Sequence, residues 1–331
     1  MRVVIALGGA ALLDAGEVPD AESQRGHVDR AAMDIAGIAR DHQVVVTHGS
    51  APQVGLLAVQ SALYPLVRGY PLDVLEAETE GLVGYFVQQA LANHLRDREV
   101  ITLLTQVMVD PADPAFGAPT KLVGPALAEV DARRLERDQG WVMVPDGGRY
   151  RRAVPSPEPL AVVELPAIER LLDDGVLVVC AGGGGIPVVI DSDGALVGVN
   201  AVIDKDRTAA VLATLLNADV LFLLTDVPAV MSEWGSAFAR PLHHVTPGQL
   251  RGFTFEAATM GPKVAAACRF VEQTGRRAAI GSLAEAGQVL AGTAGTQVTP
   301  DAPAPVWYET SSFDPDLIPS LWPNHPRRTP G

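Results

Sequence analysis

Short apolar runs recur along the chain, and each leads into glycine or small polar residues. Four of them cover residues 3–7, 44–47, 176–180 and 220–224. Unbroken apolar runs of this length are typical of strands that are buried on both faces of a parallel sheet, and residues 100–109 predict one further strand of this kind. Segments with helical periodicity lie between the runs, as in residues 23–40, 73–95 and 264–274. This alternation of strands and helices predicts an α/β fold.

The residues that follow these runs are candidates for ligand binding, because ligands gather at the carboxyl ends of parallel strands. Gly8-Gly9 follow the first run and Gly182 to Gly185 follow the third. Glycine lets a ligand approach backbone N–H groups closely. The other two runs lead into His48-Gly49-Ser50 and Thr225-Asp226. His48 could be a catalytic base, but no carboxylate partner is apparent nearby, so we expect it to shape the turn.

Three lysines occur in settings that suit phosphate. Lys205 follows an apolar pair, at an expected strand end, and lies between two aspartates. A lysine neutralises phosphate oxygens, and an aspartate such as Asp206 can orient the lysine or hold Mg²⁺. Lys263 precedes an expected helix, and Lys121 lies in a proline-rich loop. Surface lysines and ion pairs are the alternative, but the glycines and lysines together favour phosphate chemistry.

Acidic residues crowd the first turns of the helix expected at residues 73–95. They suit the helix dipole, or they form a solvated surface. Two segments are rich in proline, which disfavours helices and central strands. Residues 111–159 are bracketed by prolines and predict a small protruding lid or subdomain. Residues 300–331 form a proline- and aromatic-rich extension that either covers its own domain or a partner subunit, or is a disordered tail.

Composition narrows the class of protein. The 331 residues carry a formal net charge of −14, which argues against a general nucleic-acid binder or a binder of anionic membranes. The two cysteines, Cys180 and Cys268, lie in apolar segments and offer no zinc-site spacing. We find no signal-peptide layout and no apolar run long enough to span a bilayer. A soluble cytoplasmic protein is therefore expected.

Several segments carry a resemblance to the carbamate kinase branch of the amino acid kinase family. They are VVIALGGAAL, VVVTHGSAPQVG, LLTQVMVDPADPAFGAPTKLVGP, RRAVPSPEP, VVCAGGGGIPVV, AVIDKD and MGPK, in the family's order. The resemblance covers residues 1–299 and implies an open, mainly parallel eight-stranded sheet sandwiched between helices, with a protruding subdomain. It also implies a homodimer that transfers phosphate between ATP and carbamate, giving ADP and carbamoyl phosphate, with Mg²⁺.

The resemblance also implies roles for individual residues. Lys121, Lys205, Asp206 and Lys263 would be catalytic, the lysines neutralising the charge of the transferring phosphate. The phosphate and nucleotide would be bound by Gly8, Gly9, Gly49, Gly183, Gly184, Thr225 and Asp226. The acceptor would lie against Ala10, Ser50 and Ala51. No residue is assigned as a direct protein ligand of the metal.

Two loops depart from the family pattern. The first reads Gly8-Gly9-Ala10-Ala11 where GGNA is usual, and the second reads HGSAPQVG where HGNGPQVG is usual. Both missing asparagines would face the acceptor, and losing a group that bonds a buried substrate costs about 1–3 kcal/mol. Three hypotheses follow: a carbamate kinase that tolerates the changes, a kinase for another small carboxylate or carbamate-like acid, or a nucleotide-binding relative without turnover. The four retained catalytic residues speak against the last.

Overall fold

The structure is a computed structural model that describes residues 1–9, 12, 17, 20–64, 69–234, 239–256 and 259–308. The helices in this part of the chain are α1 (Ala21–Ala39), α2 (Ala51–Leu63), α3 (Leu72–His94), α4 (Glu129–Gln139), α5 (Leu165–Asp173), α6 (Lys205–Leu215), α7 (Pro247–Leu250), α8 (Met260–Thr274) and α9 (Ala286–Ala291). Short 3₁₀ turns cover Pro114–Gly117, Gly182–Gly184 and Leu283–Glu285.

The strands of the main sheet are β1 (Arg2–Leu7), β2 (Gln43–His48), β3 (Val100–Thr102), β9 (Leu177–Val179), β12 (Val220–Thr225), β13 (Met231–Ser232), β14 (Arg240–Val245), β15 (Arg277–Ser282), β16 (Thr296–Val298) and β17 (Val306–Trp307). The strands of two smaller sheets are β4 (Gln106–Val109), β5 (Lys121–Leu127), β6 (Val142–Asp146), β7 (Arg149–Val154), β8 (Pro159–Val162), β10 (Ile186–Ile190) and β11 (Leu196–Gly198).

The main sheet confirms the predicted α/β architecture. Its eight principal strands lie in the order β14-β16-β15-β12-β1-β2-β9-β3, and the two-residue strands β13 and β17 both pair with β14. Neighbours from β15 through β12, β1, β2 and β9 to β3 run parallel, whereas β16 is antiparallel to β15. The chain leaves β1 towards β2 on one side and reaches β12 on the other. The topological switch point therefore lies at the carboxyl end of β1.

Alternate residues of the central strands supply two hydrophobic cores. Val4 and Ala6 face one core, which contains residues of α5, α6 and α8. Val3 and Ile5 face the other, which contains residues of α1, α3 and α9. Because both faces are covered by helices, the central strands are apolar along their whole length. This burial explains the unbroken apolar runs of the sequence.

Two segments depart from the sequence prediction. The apolar run at residues 100–109 was expected to form one strand, but β3 and β4 belong to different sheets. The break is held at Thr105, whose N–H donates to Glu80 Oε2 at 3.0 Å and whose Oγ1 accepts from Ala181 N at 3.0 Å. Asp204 and Lys205 were expected at a strand end. Instead Asp204 is the N-cap of α6 and accepts from the N–H groups of Asp206 and Arg207.

Residues 111–159 contain a separate three-stranded sheet in the order β5-β7-β6, together with α4. A third hydrophobic cluster joins this sheet to α2 through Val123 and Val54. Gly55 and Gly124 allow the close approach, because a Cβ on Gly55 would lie 2.1 Å from Gly124 Cα. Lys121 begins β5, so this packing fixes where the lysine starts. The lid function assigned to the segment stays a prediction.

The extension from residue 300 is described as far as residue 308. Its strand β17 pairs antiparallel with β14, and Arg240 lies over the Trp307 ring at 4.6 Å. Tyr308 Oη donates to Gly295 O at 2.9 Å. This part of the extension therefore covers its own sheet, whereas residues 309–331 lie outside the described residues.

Candidate active site

A cavity of about 460 Å³ opens at the carboxyl ends of β1, β2 and β12. The turns after these strands line it, together with the start of α2, the start of α6 and the start of α8. Of the residues proposed from the sequence, it is lined by Gly8, Gly9, Gly49, Ser50, Ala51, Lys121, Gly183, Lys205, Asp206, Thr225, Asp226 and Lys263. Ala10 lies outside the described residues. The switch point of the sheet thus coincides with the proposed site.

Five residues form what we call the lysine cluster: Lys121, Asp204, Lys205, Asp206 and Lys263. Asp206 contacts two lysines, with Oδ1 2.5 Å from Lys205 Nζ and Oδ2 3.2 Å from Lys263 Nζ. Lys121 reaches from β5 to Asp204 Oδ2, at 2.8 Å. Together the two aspartates therefore hold ammonium groups that come from three elements, β5, α6 and α8.

Burial and the neighbouring opposite charges act on the pKa values of Asp204 and Lys205 in opposite directions. Burial alone would raise the pKa of Asp204. The Lys121 ammonium, and to a smaller degree the Lys205 ammonium, instead hold that pKa well below its usual range. Burial lowers the pKa of Lys205, Asp206 opposes this effect, and the neighbouring Lys263 adds to it. Three ammonium groups beside two carboxylates leave an excess of positive charge within the cluster. Such a site attracts an anion within a chain whose net charge is negative.

The lysines are concentrated in a way that composition alone does not show. The 331-residue sequence contains three lysines, at positions 121, 205 and 263, and all three line this cavity. The remaining residues among the 25 lysines and arginines are all arginine. Lysine presents a compact, mobile ammonium group that can contact phosphate as a point charge, which suits a group in transfer.

The glycine turns after β1 and β2 act differently from the prediction. Gly8 N–H donates to Leu224 O at 3.0 Å, and Gly49 N–H donates to Leu7 O at 3.2 Å. The expectation that these two amides hold phosphate oxygens does not fit this structure, because both are already bonded. Gly9 N–H has no acceptor among the described residues and is the amide of the three that can still bind an anion.

In the glycine turn after β9, the neighbouring residues Gly183 and Gly184 have different roles. Gly183 has φ +70° and lines the cavity. Gly184, expected to bind phosphate, is not among the lining residues. A Cβ on Gly184 would lie 2.5 Å from Ile203 O, and Gly184 O accepts from Thr208 Oγ1 at 2.8 Å. Gly184 therefore anchors the start of α6 rather than a ligand.

Ser50, which lines the cavity, and Glu76 on α3 form what we call the Ser50–Glu76 pair. Ser50 Oγ donates to Glu76 Oε2 at 3.1 Å, and both side chains are buried. A Cβ on Gly183 would lie 2.3 Å from both of these oxygen atoms, so glycine is required there. Burial raises the pKa of Glu76 to about 8, although Ser50 and Lys121 lower it.

Glu80 and His48 lie behind this pair. Glu80 accepts from Gly182 N at 2.9 Å and from Thr105 N at 3.0 Å, which ties α3 to the glycine turn and to the break between β3 and β4. The solvated alternative for the glutamates of α3 is therefore wrong for Glu76 and Glu80. His48 is fully buried, and burial lowers its pKa to about 4. It stays neutral and lies outside the lining residues, as expected for a turn-shaping histidine.

The comparisons with known proteins agree with one another. The model of the amino acid kinase family matches residues 1–282. A carbamate kinase of Rhizobium meliloti is 48% identical over 311 residues, covering 93% of this chain and 96% of the relative. A carbamate kinase of Haemophilus influenzae is 48% identical over 301 residues, covering 90% of this chain and 97% of the relative.

The chain belongs to the carbamate kinase branch of the amino acid kinase family. A solved structure agrees with this assignment. The carbamate kinase from Giardia lamblia bound to AMP-PNP aligns with a TM-score of 0.84 and 39% identity, covering 91% of this chain and 98% of that chain.

Within this family assignment, three features of the site were missed from the sequence. Asp204 was seen only as a flanking charge, although an aspartate before a helix is a capping signal. Glu76 and Glu80 are four residues apart, on the side of α3 that carries Val83 and Val87, and this spacing could have revealed their burial. The cavity also has an apolar wall, which no lysine motif marks, and it consists of Val227, Ala229, Met231, Trp234, Phe255 and Met260.

Proposed function

We propose that the protein is an ATP-dependent phosphotransferase that converts ATP and carbamate to ADP and carbamoyl phosphate, and that it can run in either direction. The observation that carries this proposal is the lysine cluster, in which all three lysines of the chain converge on one cavity at the switch point. The relatives named as carbamate kinases support carbamate as the acceptor.

The chemistry requires little covalent help from the protein. A carbamate oxygen attacks the γ-phosphorus of ATP, and the bond from that phosphorus to the β,γ-bridging oxygen breaks. Negative charge is then shared among the three non-bridging oxygens and the leaving ADP, so the protein must supply position and positive charge. Lys205 and Lys263 are held in place by Asp206 and would face the transferring group. Lys121 would approach from β5.

The lining of the cavity suits both the base and the phosphates of the nucleotide. The apolar wall, which includes Trp234, Phe255 and Met260, gives a surface on which an adenine base can pack. Thr225 and Asp226, at the end of β12, also line the cavity and would lie beside the ribose and phosphates. Gly9 N–H would complete the phosphate contacts.

Mg²⁺ fits this site as the companion of ATP rather than as a resident ion. Among the described residues no group of three or more His, Cys, Asp or Glu side chains could hold a metal. Asp204 and Asp206 are occupied by lysines. The ion would therefore be held mainly by phosphate oxygens and water, with the exposed Asp226, which lines the cavity, as a candidate carboxylate partner. When bound, it would neutralise charge on the β- and γ-phosphates.

Three further properties are part of the proposal. Residues 111–159 act as a lid that brings Lys121 to the acceptor. The protein forms a homodimer, for which exposed Leu82 and Tyr85 on α3 are candidate contacts. Each helix in the described residues is too short or too polar to cross a bilayer, and we place the protein in the cytoplasm.

The test measures ADP formation from ATP and Mg²⁺ with a panel of small acids. Bicarbonate with ammonium generates carbamate, and bicarbonate alone is the matched control. Acetate and formate test other carboxylate acceptors. We expect ADP formation above background only where carbamate is present. A faster reaction with another acid would replace carbamate as the acceptor, and no turnover with any acid would favour a nucleotide-binding relative.

A further inference from the structure

Ser50 occupies a helix N-cap but does not cap the helix. It precedes α2, where a serine oxygen usually accepts a backbone N–H from the first turn. Its side chain makes no such bond, and its hydroxyl instead donates to Glu76 Oε2 at 3.1 Å. In place of the usual N-cap hydrogen bond, the Ser50 side chain therefore contacts a buried carboxyl group on α3.

Glu76 is built into a position where its carboxyl group cannot reach water. Its side chain is buried, and its Oε2 atom lies near the hydroxyls of Ser50 and of Thr79, the latter at 3.4 Å. Its Oε1 atom has no hydrogen-bond partner among the described residues. Burial raises the pKa of Glu76 to about 8, so near pH 7 it is mainly the neutral acid. A proton on the unpartnered Oε1 leaves Oε2 as a carbonyl acceptor for Ser50.

The hydrogen-bonding capacity of serine then determines which group Ser50 presents to the cavity. A hydroxyl has one proton and two lone pairs. Because Glu76 takes the proton, Ser50 has only lone pairs left to offer a ligand. Ser50 and Gly183 line the cavity, and Glu76 lies behind them. The acceptor side therefore presents a hydrogen-bond acceptor at Ser50, and the lysine cluster presents donors.

We propose, building on the function proposed above, that Glu76 is a positioning residue that turns the Ser50 hydroxyl into a hydrogen-bond acceptor, so that the site selects a phosphate acceptor bearing an N–H group. Carbamate carries an amino group where acetate carries a methyl group of similar size. The amino group can donate to Ser50, whereas the methyl group leaves the serine oxygen unpaired. A site built to hydrogen-bond a substrate group rejects the analogue that lacks it.

The test uses the reverse reaction, in which the phosphoryl group passes from an acyl phosphate to ADP. Carbamoyl phosphate and acetyl phosphate form a matched pair of donors, differing in the amino and methyl groups. The ratio of their kcat/KM values measures selectivity. We expect Ser50→Ala and Glu76→Leu each to lower this ratio at least about tenfold, with the KM for ADP within about twofold of the wild type.

Further variants separate positioning from structure. Glu76→Gln keeps an oxygen acceptor for Ser50 and should retain the ratio within about threefold. The Ser50→Ala/Glu76→Leu double variant should match Ser50→Ala, because Glu76 acts through Ser50. Glu78→Gln, an exposed position on the same helix, is the control that should leave both rates unchanged.

Each outcome has a distinct meaning. Variants that slow both donors equally, with the ratio preserved, would overturn the inference, since the pair would then have only a structural role. If Glu76→Leu does not fold, an unchanged ratio in Ser50→Ala is enough by itself to overturn the inference. A wild-type protein inactive with both donors would overturn the proposed function and the inference with it. An active wild type with unchanged ratios in the variants overturns only the inference.

Discussion

The lysine cluster and the Ser50–Glu76 pair lie at the same cavity but differ in charge and in burial. In the cluster, each ammonium group is bonded to a carboxylate, and the lysine side chains remain 11–20% exposed. In the pair, the polar groups are neutral, lie deeper, and leave one carboxyl oxygen without a partner among the described residues. The first region has charge to stabilise a phosphoryl group, and the second has a directed dipole to recognise its acceptor.

The difference shows how one cavity can combine general and specific binding. Charge acts over distance and tolerates small displacements, so it suits a phosphoryl group that moves during transfer. A hydrogen bond from a buried hydroxyl depends on direction, so it suits discrimination between similar small acids. Changes in the lysine cluster should therefore lower the rate with every acceptor, whereas changes in the pair should alter the choice of acceptor.

The largest effect is expected from the lysine cluster. Lys205→Ala and Lys263→Ala should each lower kcat by at least about 100-fold with saturating ATP and Mg²⁺, because each removes a positioned charge from the transition state. ADP release measures the effect with every active acceptor. Arg251→Ala is the control, since Arg251 pairs with Glu272 on the surface and is 63% exposed. Near-wild-type rates in both lysine variants would separate the cluster from phosphate transfer.

A smaller effect is expected where the three-stranded sheet meets α2. Gly124 has φ +74°, and a Cβ there would lie 2.8 Å from Gly55 Cα. Gly124→Ala should push β5 from α2, displace Lys121 and lower kcat about tenfold; strain of this kind costs about 1–3 kcal/mol of unfolding free energy. Urea unfolding and ADP release measure the two effects.

Gly81→Ala is the matched control for that substitution. Gly81 lies within α3, and an added Cβ there meets no atom within 4 Å. Replacing glycine by alanine inside a helix should stabilise the protein by about 0.5–1 kcal/mol. A Gly124→Ala variant that turns over at the wild-type rate would show that the position of Lys121 does not depend on the glycine contact.

The smallest effect is expected in the pH dependence of stability. The pKa of Glu76 is raised from 4.5 to about 8, mainly by burial. Between these values the folded state retains a proton that the unfolded state has released, so the unfolding free energy is highest at low pH and falls as the pH rises. Glu76→Gln should flatten this decline between pH 6.5 and 8, by on the order of 1 kcal/mol.

The pH range and the controls isolate Glu76. His48 has the opposite sign, because its lowered pKa of about 4 makes the unfolded state the better proton acceptor below pH 6.5. Glu80 has the same sign as Glu76, so part of the decline should remain in the variant. Glu78→Gln should retain the full slope in urea unfolding. Equal slopes in the wild type and Glu76→Gln would show that Glu76 is ionised throughout this range.

Much of the fold could be predicted from local pattern. The central strands are buried on both faces, so their apolar runs mark them almost to the residue, and the turns that line the cavity directly follow them. The lysines were prominent for a related reason, since Lys121 and Lys263 stand next to glycine- or proline-containing turns and Lys205 stands between two aspartates. These features are local, and local pattern is what a single sequence displays.

The remainder depends on contacts between distant segments. Within residues 100–109 the polar pair Thr105-Gln106 is a weak local sign of the break, which is produced by Glu80 on α3 and Ala181 after β9. Glu76 and Glu80 look like surface charges until the glycine turn and Ser50 are brought against them. The pairing of β17 with β14 involves two residues of each strand, too few to leave a periodic pattern.

The most direct test of the account is the rate of ADP formation from ATP and Mg²⁺ in wild type and Lys205→Ala, with bicarbonate plus ammonium and with bicarbonate alone. We predict that the wild type turns over only when ammonium supplies carbamate, and that the variant is at least about 100-fold slower. Equal wild-type rates with and without ammonium, or a variant as fast as the wild type, would contradict it.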